Sequence, residues 1–233
     1  MQEMSEEQVQ PSLVTYTSAI HACTKAGKLD DATAFLKKMS ETRMAPDSIA
    51  YGSLMDSYAK AGDPEKTIEI LEQIKVSDTP VTVREHNSVL EAMIKAGKVN
   101  DAVRWLMDMA RDASAGRNSC SPDIISFIMV MKALAANGRG SSVASLMQAM
   151  QESGITPTPA LDEAVMRGFL SAKKAKDAYL WLQDAKAEGV PPEPQFVHCA
   201  MDVCLQSGNH WEARGTPQAE IREKWPTPWF ILK

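Results

Sequence analysis

Between Leu13 and Asp47 the apolar residues recur in two runs, each with helical spacing. Tyr16, Ala19, Ile20 and Cys23 form the first run, and Leu29, Ala32, Leu36 and Met39 the second. Each run lies along one face of a 3.6-residue helix, so the segment predicts two amphipathic helices packed as a hairpin. Lys25-Ala26-Gly27-Lys28 separates the runs, and Gly27 suits the left-handed position just past a helix end. Asp30 and Asp31 fall in the first turn of the second helix, where carboxylates complement the helix dipole. Pro46 cannot continue a helix and closes the unit.

The same unit returns down the chain. Gly27, Gly62 and Gly97 are 35 residues apart, and Gly138 follows 41 later. Tyr16, Tyr51, His86 and Phe127 step by the same intervals, and Pro122, Pro157 and Pro192 step by 35. Independent columns therefore share one period and one six-residue insertion. A period in the range of roughly 20–50 residues predicts a stacked repeat in which each unit buries its apolar face on its neighbours.

In this register the copies span 13–47, 48–82, 83–123, 124–158 and 159–193, with a partial copy at 194–214 and a non-repeat tail at 215–233. Residues 1–12 place Met4 and Pro11 in repeat columns, so they read as the tail of a preceding copy or as a disordered acidic lead. The insertion of the third copy falls in or near Ala113 to Ser121 and reads as a loop. The fifth copy has lost the glycine, with Lys173 in its place, and carries Asp162 in the Tyr column. Beyond Arg214 the columns stop, and Trp225, Trp229 and Phe230 read as a cover for the end of the stack or as an unrelated terminus on a truncated repeat.

Composition sharpens this picture without adding chemistry to it. The chain has 233 residues, 44% hydrophobic but only 6% aromatic, which fits helix packing by Leu, Ile, Met and Ala; its 14 methionines mostly fall in packing columns. A formal net charge of −5 argues against a generic polyanion binder but leaves room for a local basic groove. Cys23, Cys120, Cys199 and Cys204 form no C-x-x-C pair, and Cys23 and Cys204 share a column filled elsewhere by Tyr58, Met93, Leu134 and Phe169, a buried apolar role. No run is long and apolar enough for a membrane span, and the acidic start MQEMSEEQVQ has neither transit-peptide nor secretory character. His21, His86, His198 and His210 are scattered, and no nucleophile, metal or cofactor constellation is visible; His86, in the Tyr column, reads as packed.

The string VTYTSAIHACTKAGKLDDATAFLKKM…MAPD resembles a pentatricopeptide repeat: V-T-Y, an apolar pair, K-A-G, D-x-A-x-x-L-x-x-M and P-D in order. The resemblance covers 13–214, in three clear and three degenerate copies. Tetratricopeptide repeats also pair helices, but at a period of 34 and with a W-x-x-L-G-x-x-Y signature missing here. The resemblance implies an all-α fold, a right-handed superhelical solenoid whose first helices line a concave groove. It further implies single-stranded RNA as partner, one base per repeat, in a mitochondrion or chloroplast, with no catalysis and no cofactor. The family's appended cytidine-deaminase domain needs H-x-E and C-x-x-C, which the chain lacks.

The family's site residues carry over by column. A branched aliphatic that packs on the base plane corresponds to Val14, Ile49 and Ile125; in the third copy Arg84 replaces it. Base-edge readers correspond to Thr17 with Asp47, the family's guanine pair, and to Asn87 with Asp123, its uracil pair, although the insertion lies between the last two. Gly52 with Thr82 is a poor reader, and Ile128 has no hydrogen-bonding group. Glu163 and Glu193 would repel phosphates, and Ala136, Ser171 and Gln206 replace the groove lysine in the later copies. Lys25, Lys60 and Lys95 stand where the family meets phosphate, or serve only to cap helix ends, where a cation favours the dipole anyway. Thr17, Asn87 and Asp47 have a capping alternative of their own. The rival functions are a protein-interaction scaffold, which the acidic balance favours, and a fragment without activity of its own. Neither a membrane nor a small-molecule substrate is expected.

Overall fold

The structure, a computed structural model, describes residues 11–172 apart from 43, 78 and 117–119. The lead before residue 11, the second helix of the fifth copy, Glu193, Cys199, Cys204, the partial copy and the tail lie outside the described residues. All regular structure among the described residues is helical: α1 (Leu13–Lys25), α2 (Leu29–Glu41), α3 (Ser48–Ala61), α4 (Pro64–Val76), α5 (Val83–Lys95), α6 (Val99–Ser114), α7 (Ile124–Ala136), α8 (Gly140–Glu152) and α9 (Pro159–Ser171).

Each hairpin closes in the same way. Gly27, Gly62, Gly97 and Gly138 hold φ of 72°, 74°, 75° and 68°, a left-handed conformation that costs a side-chain-bearing residue strain. The amide after each glycine then bonds back to the carbonyl of one repeat column: Lys28 to Cys23 (2.9 Å), Asp63 to Tyr58 (3.1 Å), Lys98 to Met93 (2.8 Å) and Arg139 to Leu134 (3.0 Å). These bonds satisfy carbonyls that a helix end would otherwise leave open. The first helices start on side-chain caps: Ser12 with Thr15 at α1, Asp47 at α3, Thr82 with Glu85 at α5 and Asp123 with Ser126 at α7. Pro64 opens α4 behind the cap Asp63, where its missing N–H is no loss.

The packing follows the columns. Ile20, Met55, Leu90, Met131 and Met166 occupy one column, and all are fully buried. In the second helices Met39, Ile74, Met109 and Met150 form another buried column. Each such side chain contributes about 2 kcal/mol of apolar transfer on folding. The methionines in these columns are packing residues, as their spacing predicts. Cys23 is only half-buried against the core, less than its column implies, whereas Cys120 is buried with its thiol 3.0 Å from the Val81 carbonyl oxygen.

The layers are unequal. The backbones of the first helices α1, α3, α5, α7 and α9 each approach the next in the series closely, whereas those of α2, α4, α6 and α8 stay farther from one another. The closely spaced layer is the inside of a curved stack, so the first helices line its concave face. The insertion of the third copy is partly helical rather than all loop. Helix α6 runs for 16 residues against 13 in α2, α4 and α8, so Ala113 and Ser114 still belong to it. The extra turn keeps the backbone groups of these residues hydrogen-bonded, which a loop would leave to water.

Candidate nucleic-acid interface

The second residue of each first helix projects from the inner layer. Val14 is 72% exposed, Ile49 64% and Ile125 55%, three of only five large apolar side chains so exposed among the described residues. Branched aliphatics left in water at one register of successive helices form a ladder with no folding role. The corresponding residue of α5 is Arg84, whose Nη2 donates to Asp56 Oδ2 at 2.6 Å.

The expected readers lie one turn deeper, and the structure brings the third pair together in spite of the insertion. Asn87 Nδ2 donates to Asp123 Oδ1 at 3.3 Å. Ser126 Oγ, buried and carrying a single proton, lies 2.6 Å from Asn87 Oδ1 and 2.8 Å from Asp123 Oδ1. Asp123 also caps α7 by accepting from the Ser126 amide at 2.8 Å. Burial alone would push the Asp123 carboxyl up, but the Ser126 amide and hydroxyl and the Asn87 amide outweigh it and hold the group below its ordinary value.

The first pair is arranged differently. Asp47 caps α3, accepting from the Ala50 amide at 2.8 Å through Oδ1. Thr17 is no cap: Ser12 fills that place, and Thr17 sits a turn inside α1. The same holds for Asn87, since Thr82 caps α5. The Thr17 hydroxyl is not presented to the groove either, because Oγ1 is buried and lacks a hydrogen-bond partner. A helical Thr has two accessible χ1 wells, so turning that hydroxyl outward breaks no existing bond.

The lysines separate into two kinds. Lys25 and Lys60 are exposed in the last turns of α1 and α3 and make no ion pair among the described residues. Lys95 pairs with Glu91 at 2.8 Å and reaches the Lys60 carbonyl oxygen at 3.4 Å, so it caps its neighbour's helix end. Glu163, expected to repel a strand, is paired with Arg167 one turn on, which softens the repulsion. Three residues of this face escaped the sequence, Ser126, Asp56 and Ser88, as did the placement of Arg84.

His86 occupies the Tyr column as a packed residue. It is 5% exposed, its ring lies 5.9 Å from that of Trp105, and neither ring nitrogen has a hydrogen-bond partner. Burial, and next the charge of Lys75, push its pKa down, opposed in part by Glu85. The folded chain therefore holds His86 neutral while the unfolded chain protonates it near pH 6.5. Stability should be level above that pH and fall as pH drops towards the lowered folded value. The fall is about 1.4 kcal/mol for each unit of lowering. Urea midpoints between pH 7.5 and 5 check this; His86→Phe should flatten the slope, and an unchanged slope would refute it.

A curved stack of helical hairpins with an apolar ladder and polar pairs on its inner layer defines an α-solenoid of helical-hairpin repeats. Sequence comparison agrees. The profile described as the pentacotripeptide-repeat region of PRORP matches residues 1–117, and that of the PPR repeat matches 125–155. The chain belongs to the pentatricopeptide-repeat family. A chloroplastic pentatricopeptide repeat-containing protein of Arabidopsis thaliana is 26% identical over 89 residues, covering 38% of this chain and 13% of that protein. The crystal structure of maize PPR10 superposes with a TM-score of 0.69 at 25% identity, over 85% of this chain and 27% of PPR10. The PPR domain of Arabidopsis thaliana protein-only RNase P 1, solved in complex with tRNA, matches in fold with a TM-score of 0.56 at 12% identity, over 80% of this chain and 95% of that one. The chain thus spans about a quarter or less of the first two relatives.

Proposed function

We propose that this chain binds single-stranded RNA along the inner face of its first helices, with sequence preference, and acts by occupying the RNA rather than by cutting it. A chloroplast or mitochondrion is the proposed setting, after the chloroplastic relative. The observation that carries the reading is the exposed ladder of Val14, Ile49 and Ile125 beside Thr17/Asp47 and the linked Asn87/Asp123 pair. Flat apolar faces between polar groups suit the faces and edges of unstacked bases. Maize PPR10, similar to this chain in fold, has been solved with an 18-nt psaJ RNA element, which supports the same class of ligand.

The test is selection from a randomised single-stranded RNA pool, followed by fluorescence anisotropy on recovered sequences. Failure to enrich any RNA would overturn the reading in favour of a protein-interaction scaffold. Given enrichment, Thr17→Asn should move the preference at one position from guanine to uracil with little change in total affinity. An amide and a hydroxyl offer different donor and acceptor sets to a base edge. Selection with the variant that returns the same guanine would count against Thr17 as a reader.

The lysines predict a salt effect. Lys25→Ala with Lys60→Ala should weaken all sequences alike and lower the log–log salt slope by about 1.4, roughly 0.7 for each lost phosphate contact. Lys95→Ala should do less, because its ammonium is already held by Glu91. Equal slopes for wild type and the double variant would show that these lysines are helix caps only.

A further inference from the structure

We propose that Ser126 is a positioning residue that sets the base preference of the third copy, by turning the Asn87 carboxamide so that it meets the bound strand only as a hydrogen-bond donor. The inference rests on the RNA reading above. It starts from a difference between the two reader pairs. Thr17 and Asp47 share no hydrogen bond, whereas Asn87 and Asp123 are joined. The third residue of the next first helix is Ala50 after the first pair and Ser126 after the other. Both are fully buried, but alanine has no hydrogen-bonding side chain and serine brings a hydroxyl.

The direction of that hydroxyl follows from its neighbours. Its one proton has two acceptors in reach, Asn87 Oδ1 at 2.6 Å and Asp123 Oδ1 at 2.8 Å. Asp123 Oδ1 already accepts from the Ser126 amide at 2.8 Å and from Asn87 Nδ2 at 3.3 Å, which fills its two lone pairs. The proton therefore goes to Asn87 Oδ1. The Asp123 amide, 3.2 Å from Ser126 Oγ, donates to the hydroxyl oxygen and leaves that proton free. The opposite amide orientation would set Asn87 Oδ1 3.3 Å from a carboxylate oxygen, acceptor against acceptor. The carboxamide is thus held at both ends, and the shorter bond is the one to serine. One Nδ2 proton goes to Asp123, and the other is what half-buried Asn87 can offer a ligand. A group that donates and does not accept suits the O4 carbonyl of uracil and is opposed by the N4 amino group of cytosine. Ser126, fully buried, acts through Asn87 and touches no base itself.

The test has one arm without RNA. In the free full chain, NMR relaxation should find the Asn87 side-chain amide as rigid as the backbone, and Ser126→Ala should make it mobile. This variant keeps the main-chain amide that Asp123 caps, so α7 still starts at the same place. The second arm uses an RNA recovered from the randomised pool, with each nucleotide varied in turn. In the wild type one nucleotide should favour uracil over cytosine by about tenfold, in line with the cost of an unmatched polar group. Ser126→Ala should bring that ratio near parity and leave the preferences at other nucleotides as they were. Ser126→Thr retains the hydroxyl and should retain the ratio; Thr15 already fills this column in the first copy. A rigid Asn87 amide in Ser126→Ala, or an unchanged preference for uracil, would refute the role of Ser126 while RNA binding stands. If the wild type enriches no RNA, both readings fall.

Discussion

Replacing Val14, Ile49 and Ile125 together by serine should reduce RNA affinity on the order of a hundredfold and leave the folded state as stable as before. The two halves of this expectation come from the same observation. Side chains exposed by 72%, 64% and 55% bury little in the free chain, so their removal costs little on folding. Aromatic side chains contribute about 1–3 kcal/mol per stacked base. A branched aliphatic, without a π-system, should sit near the lower end, about 1 kcal/mol each. Three independent sites then sum to about 3 kcal/mol, a little over two factors of ten in Kd. The separation of effects is what gives the experiment its force. Anisotropy should show the loss, and a urea melt of the same variant should overlay the wild type. A variant that binds as before would remove the ladder from the interface; one that unfolds would make it part of the core.

The hairpins were legible because each glycine of the turn has a conformational reason to recur. A left-handed position excludes most side chains, so Gly27, Gly62 and Gly97 mark the period more sharply than any apolar column. His86 was legible as a packed residue for a related cause: it stands in the column in which Tyr16, Tyr51 and Phe127 are buried. The interface was legible only as columns. Periodicity says which residues share a face, and the family resemblance says what such a face does. Neither says how a long side chain lies down. Arg84 and Gly52 are 32 residues apart, and their contact depends on a missing side chain in one copy meeting a substituted one in the next. Ser126 was hidden for another reason. A serine in the first turn is an ordinary capping-box partner, and its second contact, to Asn87 across 39 residues, is made by stacking. The helical part of the insertion was masked by Ala113-Ser114-Ala115-Gly116, whose composition suits a helix end and a loop equally.

Gly168→Val should strongly destabilise the packing of α9 on α7. A Cβ at this position would lie 2.6 Å from the Ala135 Cβ, 2.8 Å from the Lys132 carbonyl oxygen and 3.1 Å from the Ala136 amide nitrogen, all on α7. Two of these three atoms are backbone, so no rotamer change relieves the overlap and the helices must part. Leu161, Val165, Met166 and Phe169, fully buried in the core, would be uncovered by that movement. Alanine would gain about 1 kcal/mol of helix propensity over glycine, against an overpacking cost of about 1–3 kcal/mol. Valine has the same Cβ clash, adds two methyl groups and gains less propensity, so a loss of about 3 kcal/mol is expected. Repeat stacks open unit by unit, so hydrogen exchange should show protection lost first over 161–171, at a lowered urea midpoint. Ala135→Gly in the same chain separates the causes. It removes the Cβ–Cβ overlap but leaves the Lys132 carbonyl in place, so it should restore only part of the stability. Full rescue would mean that side-chain crowding alone sets the distance between α7 and α9. A wild-type midpoint for Gly168→Val would mean that the close approach is absent. The small residues Ala22, Ser57, Ala92, Ala133 and Gly168 share this column. Glycine falls where α9 meets α7, and there the approach of the two backbones leaves no room even for a methyl group.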